Sequence, residues 1–177
     1  MQPISKYGVT LVPLSRGKIE MVRIWRNDPK ISRHMQYRGY ISPEMQEKWF
    51  DRISVSNTDF YFIIEYGGRE IGLINIKDVD YGAGRGEQGV FIWDDDYIDT
   101  GVAFLAFFAL DDFCSETLGL RQVYCHILKS NLRAIRFDTY LGFRLADGQE
   151  DVDCQLYTRD LGYCPNKERL LKYLSVS

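Results

Sequence analysis

The spacing of hydrophobic residues changes period several times along the chain, and each change marks an element. Residues 8–14 alternate, with Val9 and Leu11 on one side, and predict a first strand with Pro13 near its end. Ser15 then offers a cap for a helix over 18–27, made amphipathic by Ile19, Val22 and Trp25. Asp28-Pro29 stops or turns that helix; a short helix over 31–35 and a loop over 36–40 follow. Ser42 as cap and Pro43 in the first turn open a further helix through Trp49, Phe50 and Ile53. Two β-rich runs, 59–66 and 69–77, flank Gly67-Gly68, the signature of a two-residue hairpin.

A glycine-dense loop over 80–86 leads into a strand over 87–93. Polar residues and Thr100-Gly101 come next, and then apolar positions at helical spacing (Val102, Leu105, Ala106, Ala109, Leu110, Phe113) as far as 118, with Gly119 as C-cap. This is strand, loop, helix. Gly101 has no Cβ and Ala103 almost no side chain, so a ligand can approach the backbone where first-turn amides lack partners, an arrangement that holds anions, pyrophosphate included. The competing reading is that Gly101 merely punctuates a loop. A strand over 121–128, a helix beginning at Asn131, a short strand, a turn at Asp147-Gly148, a strand over 153–159 and a terminal helix from near Pro165 complete the order.

The chain has 177 residues, 45% hydrophobic and 27% charged, which suits one globular domain over 1–177. A net charge of −3 argues against general nucleic-acid or acidic-membrane binding and leaves small molecules as the expected partners. Cys114, Cys125, Cys154 and Cys164 form no C-x-x-C pair and sit in core-like runs, so free buried thiols are expected rather than disulfides or a metal site. The expectation is a cytoplasmic protein without a membrane helix, since no window approaches the roughly 20 apolar residues one needs. Homodimer formation stays open.

The segment Asn131-Leu-Arg-Ala134-Ile135-Arg136-Phe137-Asp138-Thr-Tyr140-Leu141-Gly142-Phe143 resembles the GNAT superfamily of acetyl-CoA-dependent N-acetyltransferases, whose signature there is Asn-x-x-Ala-Ile-x-x-Tyr-x-x-Leu-Gly-Phe. The turn Ile98-Asp99-Thr100-Gly101-Val102-Ala103 is similar to that family's pyrophosphate loop. Two positions depart from the pattern. Ile98 replaces a basic or amide residue, and Asp138 replaces the frequent tyrosine. The resemblance implies an α/β (α+β) fold with a mixed, mostly antiparallel central sheet and helices on both faces; the family's fourth and fifth strands splay to admit the pantetheine arm. The N-terminal half, with Trp25-Arg26-Asn27, Met35 and Trp49-Phe50, resembles acetyltransferases of nucleotide-linked amino sugars of the pseudaminic-acid pathway; openings of the ribosomal-protein N-terminal type are similar.

The resemblance carries roles with it. Glu87 would accept the amine's proton, and backbone amides over 90–93 (Phe91, Ile92 and Trp93 among them), freed by a bulge, would polarise the thioester carbonyl. Amides of Asp99, Thr100, Gly101, Val102, Ala103 and Phe104 would hold the pyrophosphate. Asn131 is either a helix cap or a pantetheine ligand. Asp138 is a poor acid near neutrality unless desolvated, given a reference pKa of about 3.9, so Tyr140 is the substitute proton donor. Lys129, Arg133 and Arg136 are expected at the mouth, and His126 reads as structural. Trp25, Arg26, Met35 and Tyr37 would line the acceptor pocket. The expected reaction is direct acetyl transfer to a primary amine, a nucleotide-linked amino sugar first, with a protein N-terminus or polyamine as alternatives; a non-catalytic acyl-CoA-binding module is the rival of another class.

Overall fold

The computed structural model describes residues 1–174, and its core is one eight-stranded sheet in the order β1-β2-β3-β4-β5-β6-β8-β7. The strands are β1 (Ile4–Lys6), β2 (Val9–Pro13), β3 (Phe60–Tyr66), β4 (Arg69–Asp80), β5 (Arg85–Ile92), β6 (Gln122–Leu128), β7 (Arg144–Leu145) and β8 (Cys154–Asp160). All neighbours run antiparallel except β5 and β6. Helices α1 (Ile19–Asn27), α2 (Pro29–Ser32) and α3 (Pro43–Ser54) precede β3. Helix α4 (Val102–Asp112) lies between β5 and β6, α5 (Leu132–Leu141) follows β6, and α6 (Lys167–Leu174) comes after β8. This is the mixed, mostly antiparallel α/β architecture expected, with helices on both faces.

Local chemistry sets most boundaries. Gly67 and Gly68 both have positive φ (57° and 77°), as a type I′ turn needs, so β3 and β4 meet without splaying. Ser42 accepts a hydrogen bond from the Met45 amide and caps α3. Ser15 caps nothing with its side chain: a 3₁₀ turn over Arg16–Lys18 intervenes and α1 starts at Ile19. The short second helix begins earlier than expected, at Pro29, because Asp28 turns extended and caps it by accepting from the Lys30 amide. Strand β1 is an addition to the expected order. It folds back on β2 through Tyr7-Gly8 and is tied down by Lys6 and Tyr7, which both donate to Asp112 of α4 at 2.9 and 2.8 Å.

Helix α4 is apolar on nearly every side and is buried accordingly; Ala106, Phe108, Ala109 and Leu110 are fully inaccessible. Burying one such phenylalanine contributes up to about 3 kcal/mol. After Asp112 the helix widens into a π turn, Phe113–Thr117. Beside it, Arg159 donates to Asp111 at 2.6 Å, Gln88 donates to the same oxygen at 2.9 Å, and the guanidinium lies over the Phe143 ring. On the opposite face Trp25, Val22, Ile63 and Leu73 form a second core under α1. Among the described residues no helix is long and apolar enough to cross a membrane.

Candidate active site

Strands β5 and β6 pair over only three positions, Arg85↔Gln122, Gly86↔Val123 and Glu87↔Tyr124, and then separate. With β1 left uncounted, they correspond to the family's fourth and fifth strands. The β4–β5 ladder stays in register from Gly72↔Ile92 to Lys77↔Glu87, so no bulge falls within 87–92; the irregularity comes just after, where Trp93 and Asp94 both donate to Ile71 O. Trp93 donates its amide to Ile71 O at 2.8 Å, which fixes the phase of the ladder. In an antiparallel pair successive residues turn their backbone groups to opposite sides. Phe91 and Trp93 therefore face β4, and Val90 and Ile92 aim theirs into the opening. Alternation, not a bulge, frees the donors, and it frees two rather than four.

The opening widens into a cavity of about 1970 Å³. That is more than one drug-sized ligand fills, and it has room for two substrates together. At one end lies the loop before α4. Asp99 (φ 63°) and Gly101 (φ 87°) are both left-handed, and Gly101 caps α4 with backbone alone. Phe104 spends its amide on Gly101 O at 3.0 Å, and Thr100 points its amide at Tyr97 O at 3.4 Å. The amides of Asp99, Gly101 and Ala103 have no backbone partner among the described residues. Val102 belongs to the core by its side chain, and Leu174 of α6 rests on Gly101, where a Cβ would come within 2.6 Å. Arg136 stands exposed at the mouth, and Arg133 pairs with Asp99 at 2.8 Å. Lys129 is not with them: it turns to Glu150 O and Asp151. Asn131 caps α5 by accepting from the Ala134 amide at 3.2 Å while lining the cavity, so capping and ligand contact coexist.

The ionisable groups enter from both faces of the sheet. Glu87, 9% exposed, receives Lys77 Nζ at 2.9 Å on one oxygen and faces His126 Nδ1 at 3.1 Å with the other. His126 is thus a cavity residue in contact with the predicted base. Asp138 comes from α5 on the other face, beside Cys125 and Tyr157. Burial pushes its carboxyl up to about 7, against the pull of the Arg159 guanidinium. An aspartate so placed can hold a proton near neutrality. Tyr140, two residues on, lines the same cavity nearer the rim, where it is 37% exposed and packs near Phe104.

The roof is built by α1, α2 and the loop after them. Arg26, Met35 and Tyr37 line the cavity as predicted; Trp25 does not. Its ring is 4% exposed and stacks on Trp93 at 5.6 Å, because the buried phase of α1 runs Ile19, Val22, Trp25 and leaves Arg26 to face the cavity. Trp93 is half-buried against the second core, covered by Lys30 at 4.5 Å. Asn75 and Lys77 are cavity residues that sequence reasoning missed, although a polar residue at every second position of an apolar strand is their signal.

Residues 9–144 match the acetyltransferase (GNAT) domain family. The chain belongs to that family. This GNAT enzyme is an acetyltransferase, and acetyl-CoA is its acyl donor. Its loop fits the donor: amides of Asp99, Gly101 and Ala103 without backbone partners at the start of α4, and Arg136 nearby. The spermidine N(1)-acetyltransferase of Escherichia coli K12 is 24% identical over 139 residues, 78% of this chain and 74% of that one. Among solved structures, spermidine N-acetyltransferase from Vibrio cholerae in complex with CoA and spermine superimposes with a TM-score of 0.75 at 18% identity, over 89% of this GNAT chain and 98% of that one. A domain from Methanocaldococcus jannaschii gives 0.74 at 16% identity, over 86% and 97%.

Proposed function

We propose that the enzyme acetylates a primary amine by direct transfer, the two substrates meeting in the opening between β5 and β6. The observation that carries this is the separation of proton-handling groups by that opening: Glu87 with His126 on one face, Asp138 on the other. Acetyl-CoA supplies the activated acetyl group. The amides of Val90 and Ile92 are aimed at where its carbonyl oxygen gains charge, and fixed donors in a water-poor site are effective there. Glu87 accepts the proton that the amine must lose, directly or through water, and His126 is placed to share it. Asp138 keeps a proton available for a leaving thiolate and takes the part expected of Tyr140.

The leading acceptor is a nucleotide-linked amino sugar, because Arg26 and Arg33 line the acceptor side of the cavity. The spermidine acetyltransferases among the relatives favour a second reading, a polyamine. Purified protein, with free thiol as the readout, should release CoA from acetyl-CoA only when an accepted amine is present, across a panel of UDP-linked amino sugars, short peptides and spermidine. Tight acetyl-CoA binding with no release for any amine would instead make this a binding module.

A further inference from the structure

On the Glu87 face of the sheet two rows of side chains run across the strands. One is Lys77, Glu87, Tyr124, and the next is Tyr61, Asn75, Gly89, directly opposite one another in the pairing register. Rows on one face are two residues apart, about 7 Å. The second row has an unusual surplus. Asn75 Nδ2 is buried without a hydrogen-bond partner, and the residue beside it is Gly89, so nothing but Asn75 fills that part of the floor. Above the row, next to Tyr61, sits Arg26, half-buried and without a carboxylate or hydrogen-bond partner among the described residues. Burial draws its guanidinium below the ordinary arginine range. By contrast Lys30, Lys77 and Arg133 are all paired, to Asp95, Glu87 and Asp99.

Most of the acidic side of the balance is already paired, Asp59 having no cation partner among the described residues. Asp59 accepts from Ser56 and Thr58, Asp78 and Glu87 face Lys77, Asp95 holds Lys30, and Asp99 holds Arg133. Among the described residues, what the acceptor region offers a newcomer is donors and arginines without a carboxylate partner, Arg33 and Arg52 exposed and Arg26 half-buried beside the floor. A buried cation is costly until an anion meets it, and a polycation entering here would find like charge and few free carboxylates.

We infer that Arg26 and Asn75 form an oxyanion subsite in the acceptor pocket, so that the acceptor is an amine that also bears a phosphate or carboxylate, held about one pleat from Glu87. This deepens the transferase reading and rests on it, but the subsite can be measured without turnover. With saturating CoA occupying the donor loop, UDP and glutarate are titrated calorimetrically into wild type, Arg26→Gln and Asn75→Leu. At least one anion should bind wild type, and each substitution should weaken it, Arg26→Gln by roughly 10- to 100-fold. Arg26→Lys should recover part of the loss, while thermal melting confirms that the variants fold. In turnover with a UDP-linked amino sugar, glycylglycine and spermidine, Arg26→Gln should raise KM for whichever anionic amine is used and leave kcat nearly unchanged. Which anion binds separates phosphate from carboxylate. Absence of binding by both anions, binding equal in wild type and Arg26→Gln, or a preference for spermidine over both anionic amines would overturn the subsite. Anion binding lost in Arg26→Gln, with no thiol released from any amine, would support the subsite and defeat the transferase reading instead.

Discussion

Replacing Asp138 with asparagine should stabilise the protein, and by an amount that depends on pH. The side chain is 7% exposed, and burial raises its carboxyl from 3.8 to about 7. Between those two values the unfolded chain has released the proton and the folded chain still holds it. Stability therefore falls as pH rises through that window, and the loss is complete above about 7. At about 1.4 kcal/mol per pH unit, the full cost approaches about 4 kcal/mol. Asparagine keeps the shape and never ionises. The variant should match wild type near pH 4 and exceed it increasingly up to pH 8, by a margin worth roughly 10 °C in Tm for a chain of this size. Chemical denaturation of both proteins at each pH unit from 4 to 9 measures the difference. A stability gap that stays flat from pH 4 to pH 8 would refute the reasoning, since Asp138 would then titrate alike in both states. The same substitution removes the proton proposed for the leaving thiolate, so turnover should drop while acetyl-CoA affinity holds: stability and activity move in opposite directions.

Glu87→Gln should lower turnover by about 10²-fold, the contribution of a positioned base, with acetyl-CoA affinity nearly unchanged by calorimetry. Gly101→Val should weaken acetyl-CoA binding sharply, because φ is 87° and a Cβ there would press on Leu174; unaltered affinity would mean that the loop does not hold the pyrophosphate. Arg159→Leu should cost about 3–5 kcal/mol in chemical denaturation, because it strands Asp111 as an uncompensated buried charge.

Elements encoded by neighbours in the chain are legible from the residues alone. The Gly67-Gly68 turn, the Ser42 cap and the strand, loop, helix order around Gly101 all depend on contacts within a few residues. Strand β1 is not legible, because three residues give no period to read; its anchorage is Asp112, more than a hundred residues away. The partnership of His126 with Glu87 depends on a parallel register between strands separated by the whole of α4, and nothing local announces it. Trp25 is a different case. Its spacing from Ile19 and Val22 places it in the core, and helical phase is a better guide to its position than its aromatic character. Asp138 shows the reverse: residue identity argues against a protonated group, and only its burial on α5 supplies the environment that lets it hold a proton toward neutrality.

A sheet of eight strands normally has two edges, here β1 and β7. Because β5 and β6 part company after Glu87, this one has two more, facing each other across the gap with the backbone groups of Val90 and Ile92 turned inward. Unclaimed strand edges invite extension by stray segments of other chains. Acetyl-CoA, lodged between them, would act as a plug as well as a reagent. Tolerance of concentration, heat and long storage should therefore track donor occupancy, and an excess of CoA during purification should protect the protein against aggregation beyond its effect on melting.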